Sequence, residues 1–408
     1  MIPISEAIAI VERETTALGA ERIALSETVG RIFAEDIVAD MDLPPFDRSQ
    51  MDGFAVRSDD VANAPVDLKI VGESAAGHGW HDEMKPGQAV RIMTGARVPV
   101  GADTVQKVEL TSEHSFGSGA AQKMNGVITI NEPIAASKNI VRQGEEVKRG
   151  KRIFESGERI NERMIATLAA FGYASVKVAQ SPGVAILTTG SEVVEIDETP
   201  GIDQIRNSNS AMLSALIKTV TSTPRVLPSA VDDLEAIKQV LMDAARDSDV
   251  IVITGGVSVG KYDLTKKALI DLGAEVFFDR VRLKPGKPAV FARLGKTLVF
   301  GLPGNPVSAA VTYYLFVRKA LLLMQDARET ELKKGRAVAG RTLNGAKDRD
   351  TYLPAKIGID DDGARLIVTP VKWIGSSDFI GFGKADALAF VPASRAVEAG
   401  ETTEILFL

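Results

Sequence analysis

Residues 249–263 read Asp-Val-Ile-Val-Ile-Thr-Gly-Gly-Val-Ser-Val-Gly-Lys-Tyr-Asp, and no other stretch restricts the fold as tightly. Residues 250–254 are β-branched throughout, with no polar face to offer solvent. Such a run makes a strand buried on both sides, which belongs in a mainly parallel sheet. It stops at Gly255-Gly256, with Gly260 close behind. Glycines there let the chain turn sharply and leave backbone N–H groups open to an anion or a polar ring. Beyond them Leu264, Ala268, Leu269 and Leu272 recur at helical spacing up to Gly273, a C-terminal stop. Strand, glycine loop and helix in that order is where open α/β sheets hold ligands.

The loop nearly spells a nucleotide-binding P-loop. Gly255-x4-Gly260-Lys261 is followed by Tyr262, where that motif needs a Ser or Thr hydroxyl for Mg²⁺. Asp263 comes one residue later and leaves two readings open. It is either a hard carboxylate for a divalent cation or a cap for the following helix.

The pattern repeats over residues 181–325. Apolar strands are expected at 184–189, 226–231, 276–281 and 298–300. Helices follow Asn207-Ser-Asn-Ser210 and Asp232-Asp233, and a third starts with Asn305 as N-cap and Pro306 at N1. The alternation calls for a parallel sheet covered on both faces. Its loops carry Glu192, Asp232 and Asp263, the lysines of Lys284-Pro-Gly-Lys-Pro288, and Leu302-Pro-Gly-Asn-Pro306. A parallel sheet brings these loops to one edge. Three carboxylates there suit Mg²⁺ and two lysines suit an oxyanion, although each carboxylate taken singly is also an ordinary helix cap.

The flanking regions differ in character. Ser5 is placed to cap a first helix carrying Ile8, Val11 and Leu18, and a second periodic segment holds Leu25, Val29 and Ile32. Residues 43–56 form an Asx-rich turn with Asp47, Ser49 and Asp52 between Phe46, Met51 and Phe54. Short strands at 68–71, 89–93, 104–110 and 127–130 enclose the glycine loop Thr94-Gly-Ala-Arg-Val-Pro-Val-Gly101. A helix with Met164, Leu168 and Phe171 stops at Gly172. Strands at 352–359 and 365–371 flank Asp360-Asp-Asp-Gly363 as a hairpin, and strands at 387–391 and 403–407 follow. The expected plan is therefore multi-domain α/β. A helical N-terminal part (1–43 and 134–178) carries an inserted β-rich domain (44–133). A central α/β domain (179–328) precedes a small β-barrel-like domain (329–408).

Composition removes whole classes of function. Acidic residues outnumber basic ones, 54 to 48, so the basic excess of a nucleic-acid binder is missing. Without cysteine there is no disulfide, thiolate metal site or thiol nucleophile. The three histidines, His78, His81 and His114, are too few for a His-built centre. The N-terminus lacks the pattern of a signal peptide, and the apolar run 311–324 is broken by Arg318 and Lys319. No membrane contact is expected, and the cytoplasm is the expected location.

Five ordered stretches carry a resemblance: Pro45-Phe-Asp-Arg-Ser-Gln-Met-Asp-Gly-Phe-Ala55, Arg91-Ile-Met-Thr-Gly-Ala96, Gly255-Gly-Val-Ser-Val-Gly260 with Asp263, Lys284-Pro-Gly-Lys-Pro288 and Gly301-Leu-Pro-Gly-Asn-Pro306. Over essentially its whole length the chain resembles the molybdopterin molybdenumtransferases, the family that includes the E domain of gephyrin. The resemblance implies a four-domain, L-shaped homodimer with an active site between the α/β domain of one subunit and the β-rich domain of the other. It implies insertion of molybdenum from molybdate into adenylylated molybdopterin, with Mg²⁺ assisting release of AMP. Carried over by position, Asp47, Thr94, Asp232 and Asp263 take catalytic places, and Glu192 joins Asp232 and Asp263 at the metal. Ser49, Asp52, Gly255, Gly256, Ser258, Pro303 and Asn305 fall at the pterin nucleotide, and Lys284, Lys287, Arg349 and Ser376 in the molybdate region. The enzyme that adenylylates molybdopterin becomes a possible partner. One departure is Gly144-Glu-Glu146, where the family commonly has Asp in the last place. An adenylyltransferase and a non-catalytic scaffold of the same fold are the competing readings.

Overall fold

The computed structural model describes residues 1–113, 126–229, 233–255, 264–360, 362–372 and 374–408. The expectations placed on Asp232, Gly256, Ser258, Asp263 and His114 fall outside these residues. The chain forms two compact units. The larger comprises Met1–Glu35, Glu155–Thr167 and Tyr173–Leu408, and the smaller Asp36–Phe154 and Leu168–Gly172.

The larger unit is built on a six-stranded sheet in the order Arg225–Val226, Val184–Thr188, Val250–Thr254, Thr297–Leu302, Val290–Leu294, Glu275–Phe278. The first four strands are parallel; Val290–Leu294 is antiparallel to both its neighbours, so Glu275–Phe278 regains the direction of the first four. Val250–Thr254 lies inside the sheet with every residue buried, as its β-branched run requires. Alternate side chains serve opposite faces. Ile251 and Ile253 meet Ile237 and Leu241 of Leu234–Asp247 and Leu269 of Leu264–Asp271. Val250 and Val252 share a core with Leu213 of Ser208–Lys218 and with Val311 and Phe316. Those last two belong to a continuous helix, Pro306–Leu323, long and apolar enough to cross a membrane but 78% buried in this core. One π turn, Tyr313–Val317, interrupts it.

The antiparallel edge differs from expectation. The sequence shows strands at 276–281 and 298–300 with none between, but Val290–Leu294 lies between them and turns back into Thr297–Leu302. Leu294 pairs with Thr297, leaving the two-residue loop Gly295-Lys296, with Gly295 at φ +60°. The proline-rich 284–288 segment conceals that strand in the sequence.

The C-terminal strands close on themselves. Asp350–Ile359 pairs with Leu366–Pro370 and with Ala387–Val391. Lys334–Ala339 joins Leu366–Pro370 to Thr402–Phe407, which returns to Ala387–Val391. The result is a closed five-strand barrel around Leu353, Val368, Val391 and Ile405. Leu283–Lys284, from the α/β part, adds to Asp350–Ile359 in parallel.

At the N-terminus Ile4–Glu14 sends Ala7 and Val11 into the main core, and Pro3 rather than Ser5 is the N-cap. The periodic segment around Leu25 yields a single turn, Leu25–Glu27, closed by the Thr28 amide and hydroxyl on the Leu25 carbonyl.

The smaller unit holds a five-stranded sheet in the order Thr104–Lys107, Gly53–Val56, Gln88–Ile92, Val66–Ser74, Val127–Ile130. Gly53–Val56, not expected as a strand, lies within it with all four residues buried. Ala55, Val90 and Val105 pack on one face, and Phe54, Leu68 and Ile128 on the other.

Phe291 and Phe300 stack across the antiparallel pair with centroids 4.7 Å apart, both buried. Phe300→Ala is expected to cost about 3–5 kcal/mol in denaturant unfolding. Removing the exposed ring of Phe379 should cost less than about 1 kcal/mol.

Candidate active site

A cavity of about 560 Å³ opens at the carboxyl ends of Val184–Thr188 and Val250–Thr254. This is the sheet edge expected to hold a ligand. Its wall is fixed by the last residue of the inner strand. The Thr254 hydroxyl accepts from Asn209 Nδ2 at 2.9 Å and donates to the Pro303 carbonyl at 3.2 Å. Asn209 Nδ2 also donates to the Gly304 carbonyl at 2.7 Å. Gly255 turns away at φ +91°, and a Cβ there would sit 2.3 Å from the Thr189 carbonyl oxygen, so no other residue fits. Two buried polar atoms in this wall, Thr189 Oγ1 and Asn209 Oδ1, have no hydrogen-bond partner among the described residues. Leaving such atoms unpaired is costly, so a polar group within reach of them would be favoured there.

Asn305 stands at the N-cap with Pro306 behind it, as read from the sequence, but its side chain does not cap. Its Nδ2 donates to Ser376 Oγ at 2.8 Å, and the Val307 amide donates to the Ser376 carbonyl at 3.1 Å. The loop from the barrel thus takes over the capping and frees Asn305 to line the cavity. The same loop sets the Phe379 ring, 52% exposed, at the cavity wall. Asp378 fixes that loop by accepting from the Gly381 and Ile374 amides, which hold its carboxyl below the usual range.

Of the other expected residues, Glu192 lines the cavity and is exposed. Among the described residues no three acidic or histidine groups come together to hold a metal. Lys284, Lys287 and Arg349 do not line the cavity. Arg349 Nε pairs with Asp348 at 3.2 Å, and Arg349 foremost, with a smaller contribution from Lys287, holds the Asp348 carboxyl below its ordinary range. Lys284 pairs with Thr351 in the barrel ladder, two residues from Arg349. These cations form a separate group on the barrel side.

In the smaller unit the Asx-rich turn resolves into distinct roles. Asp52 Oδ1 accepts from the Thr94 amide at 2.6 Å and from its hydroxyl at 2.9 Å. The Thr94 amide foremost, then the hydroxyl, hold the Asp52 carboxyl below its ordinary range. Asp47 has both oxygens engaged, by Arg142 at 2.6 Å and the Gln143 amide at 2.8 Å. Ser49 is buried and donates to the Met51 carbonyl at 2.6 Å, so its hydroxyl is spent within the loop. Glu146 pairs with Arg48 at 2.8 Å.

Asn209 was missed in the sequence. Asn207-Ser-Asn-Ser210 offers two asparagines at one helix start; Asn207 caps it by accepting from Ser210, and a second cap is superfluous. That redundancy was the available signal.

Comparison with known proteins agrees over the full length. Family models match at residues 2–172 (MoeA N-terminal region, domain I and II), 185–322 (probable molybdopterin binding domain) and 336–408 (MoeA C-terminal region, domain IV). A molybdopterin molybdenumtransferase of Staphylococcus aureus (strain COL) is 33% identical, covering 99% of this chain and 95% of its own. That of Bacillus subtilis (strain 168) is also 33% identical, over 100% and 94%. The chain belongs to the molybdopterin molybdenumtransferase family. A MoeA crystal structure from Pyrococcus horikoshii superposes with a TM-score of 0.83 at 30% identity, covering 100% of this chain and 99% of that one. The closed barrel and the mainly parallel sheet are thus the MoeA-type fold.

The Asp52–Thr94 pair gives a signed expectation. Because the folded pKa of Asp52 is lowered, its contribution to stability is present above the ordinary carboxylate range and lost as pH falls through the lowered value. Thr94→Val keeps the amide contact and deletes the hydroxyl. Carbon-detected NMR titration should then find the Asp52 pKa moved upward but still below an unperturbed aspartate.

Proposed function

We propose that this chain inserts molybdenum from molybdate into adenylylated molybdopterin, releasing AMP, in molybdenum cofactor biosynthesis. One observation carries the reading: similarity at 33% identity to a named molybdopterin molybdenumtransferase extends through 99% of the chain, not just its central α/β region.

The residues support a division of labour. The cavity with the unpaired Thr189 and Asn209 atoms takes the polar edge of the flat pterin, and Phe379 offers it a ring face. Lys284, Lys287 and Arg349 hold molybdate, two as point charges and one as a planar fork. Cleaving the phosphoanhydride between the pterin phosphate and AMP consumes one water. Asp52, kept ionised by Thr94, is a weak base, so its task is to orient that water or a substrate hydroxyl. Asp47, engaged on both oxygens, holds the 142–143 segment in place. Mg²⁺ would supply charge neutralisation at the phosphates. Glu192 is the one described member of its proposed ligand set; Asp232 and Asp263 enter by sequence position.

The assembly proposed is a homodimer in which Asp52 and Thr94 of one copy serve the cavity of the other. It rests on the match of residues 45–55 and 91–96 to family positions, as does acceptance of substrate from the adenylyltransferase. A cytoplasmic setting goes with soluble substrates.

Supplying adenylylated molybdopterin, Mg²⁺ and molybdate should give AMP release coupled to cofactor formation; an inert protein would sink the reading. Lys287→Ala should weaken molybdate binding while leaving binding of the adenylylated pterin nearly unchanged, and equal molybdate affinity in both proteins would reduce Lys287 to a turn residue. Mixing Asp52→Ala with Asp263→Ala subunits should recover part of the activity. A mixture as inactive as either parent, after proven subunit exchange, would refute the shared site.

A further inference from the structure

A second large cavity of the larger unit has no part in this reaction. It measures about 690 Å³ and lies among the end of the Pro306–Leu323 helix, the 157–164 segment and the last barrel strand. Met164, Leu322, Leu332 and Phe407 give it an apolar lining, and the guanidiniums of Arg159 and Arg318 stand in the same wall.

Both arginines are anchored, but to neutral groups. Arg318, half-buried, donates from Nη1 to the Thr330 carbonyl at 2.8 Å. Arg159 donates from Nε to the Gly30 carbonyl at 3.2 Å and from Nη2 to the Thr219 carbonyl. Carbonyls satisfy N–H donors without cancelling charge. Among the described residues neither guanidinium has a carboxylate within ion-pair distance. Loss of hydration lowers the Arg318 pKa, and the positive charge of Arg159 lowers it further. Of the other charges of the wall, Arg328 pairs with Glu155 and Glu331 with Lys319 and Lys334, while Glu158 accepts from the Glu155 amide, a neutral partner that leaves its charge in place. Exposed Glu329 and Lys333 oppose each other in sign.

Two like charges sharing a partly dry cavity repel, and an anion between them removes that cost. We propose that this cavity is a second ligand site, for a small molecule with an oxyanion held by Arg159 and Arg318 and an apolar body lying on Met164, Leu322 and Phe407. Guanidinium suits the task because its planar fork pairs two oxygens at once.

Phenyl phosphate is a suitable probe, with inorganic phosphate and phenol as its two halves. Calorimetric titration at constant ionic strength uses the full chain carrying Arg349→Gln, which weakens the other cationic group. Phenyl phosphate should bind more tightly than either half. Adding Arg159→Gln, and separately Arg318→Gln, should each weaken it by about tenfold or more. Arg159 is exposed, so its variant keeps the fold and carries the test if Arg318→Gln misfolds; melting temperatures identify that case. If the arginines merely tie down Gly30, Thr219 and Thr330, phenyl phosphate affinity will be the same with and without Arg159→Gln. That result, or no binding by the starting protein, overturns the proposal.

Discussion

Burial of Val250–Thr254 on both faces is the constraint from which the larger unit follows. Four of its residues are aliphatic and need helices on each side of the sheet. The fifth, Thr254, is fully buried yet polar, and its hydroxyl has to be paired. It finds Asn209 from one helix start and Pro303 from the neighbouring strand end. A hydrophobic requirement sets the sheet in place, and a single hydroxyl then fixes how the loops leave it. The cavity wall is the product of these two demands.

The sequence was most legible where a pattern had one solution. A β-branched run ending in glycines can hardly be anything but an inner strand, and Asn305-Pro306 can hardly be anything but a helix start. The barrel hairpin was visible because alternation flanked a turn. Val290–Leu294 and Gly53–Val56 were not, because prolines or aspartates nearby read as loop. In the site, residue type was legible and orientation was not. Nothing local reveals that Asn305 would surrender its cap to a carbonyl some seventy positions on, because that depends on where the barrel docks.

The two aspartates of the 45–55 motif show the same limit at closer range. Asp47 and Asp52 look interchangeable in an Asx-rich turn. The fold gives Asp47 an arginine and an amide, one on each oxygen, and gives Asp52 one threonine on a single oxygen. Among the described residues Asp52 Oδ2 accepts no hydrogen bond, whereas each Asp47 oxygen accepts one. A carboxylate's chemistry follows from what remains unengaged.

The first two residues of Asp350–Ile359 in the closed barrel also receive Leu283–Lys284 as a parallel partner. Lys284, from the α/β part, is thereby paired with Thr351 of the barrel, two residues from Arg349. The Asn305–Ser376 bridge fastens the same two parts at a second point. A joint with two fastenings cannot pivot about either. The backbone that carries Lys284 is therefore held from the α/β part and from the barrel at once.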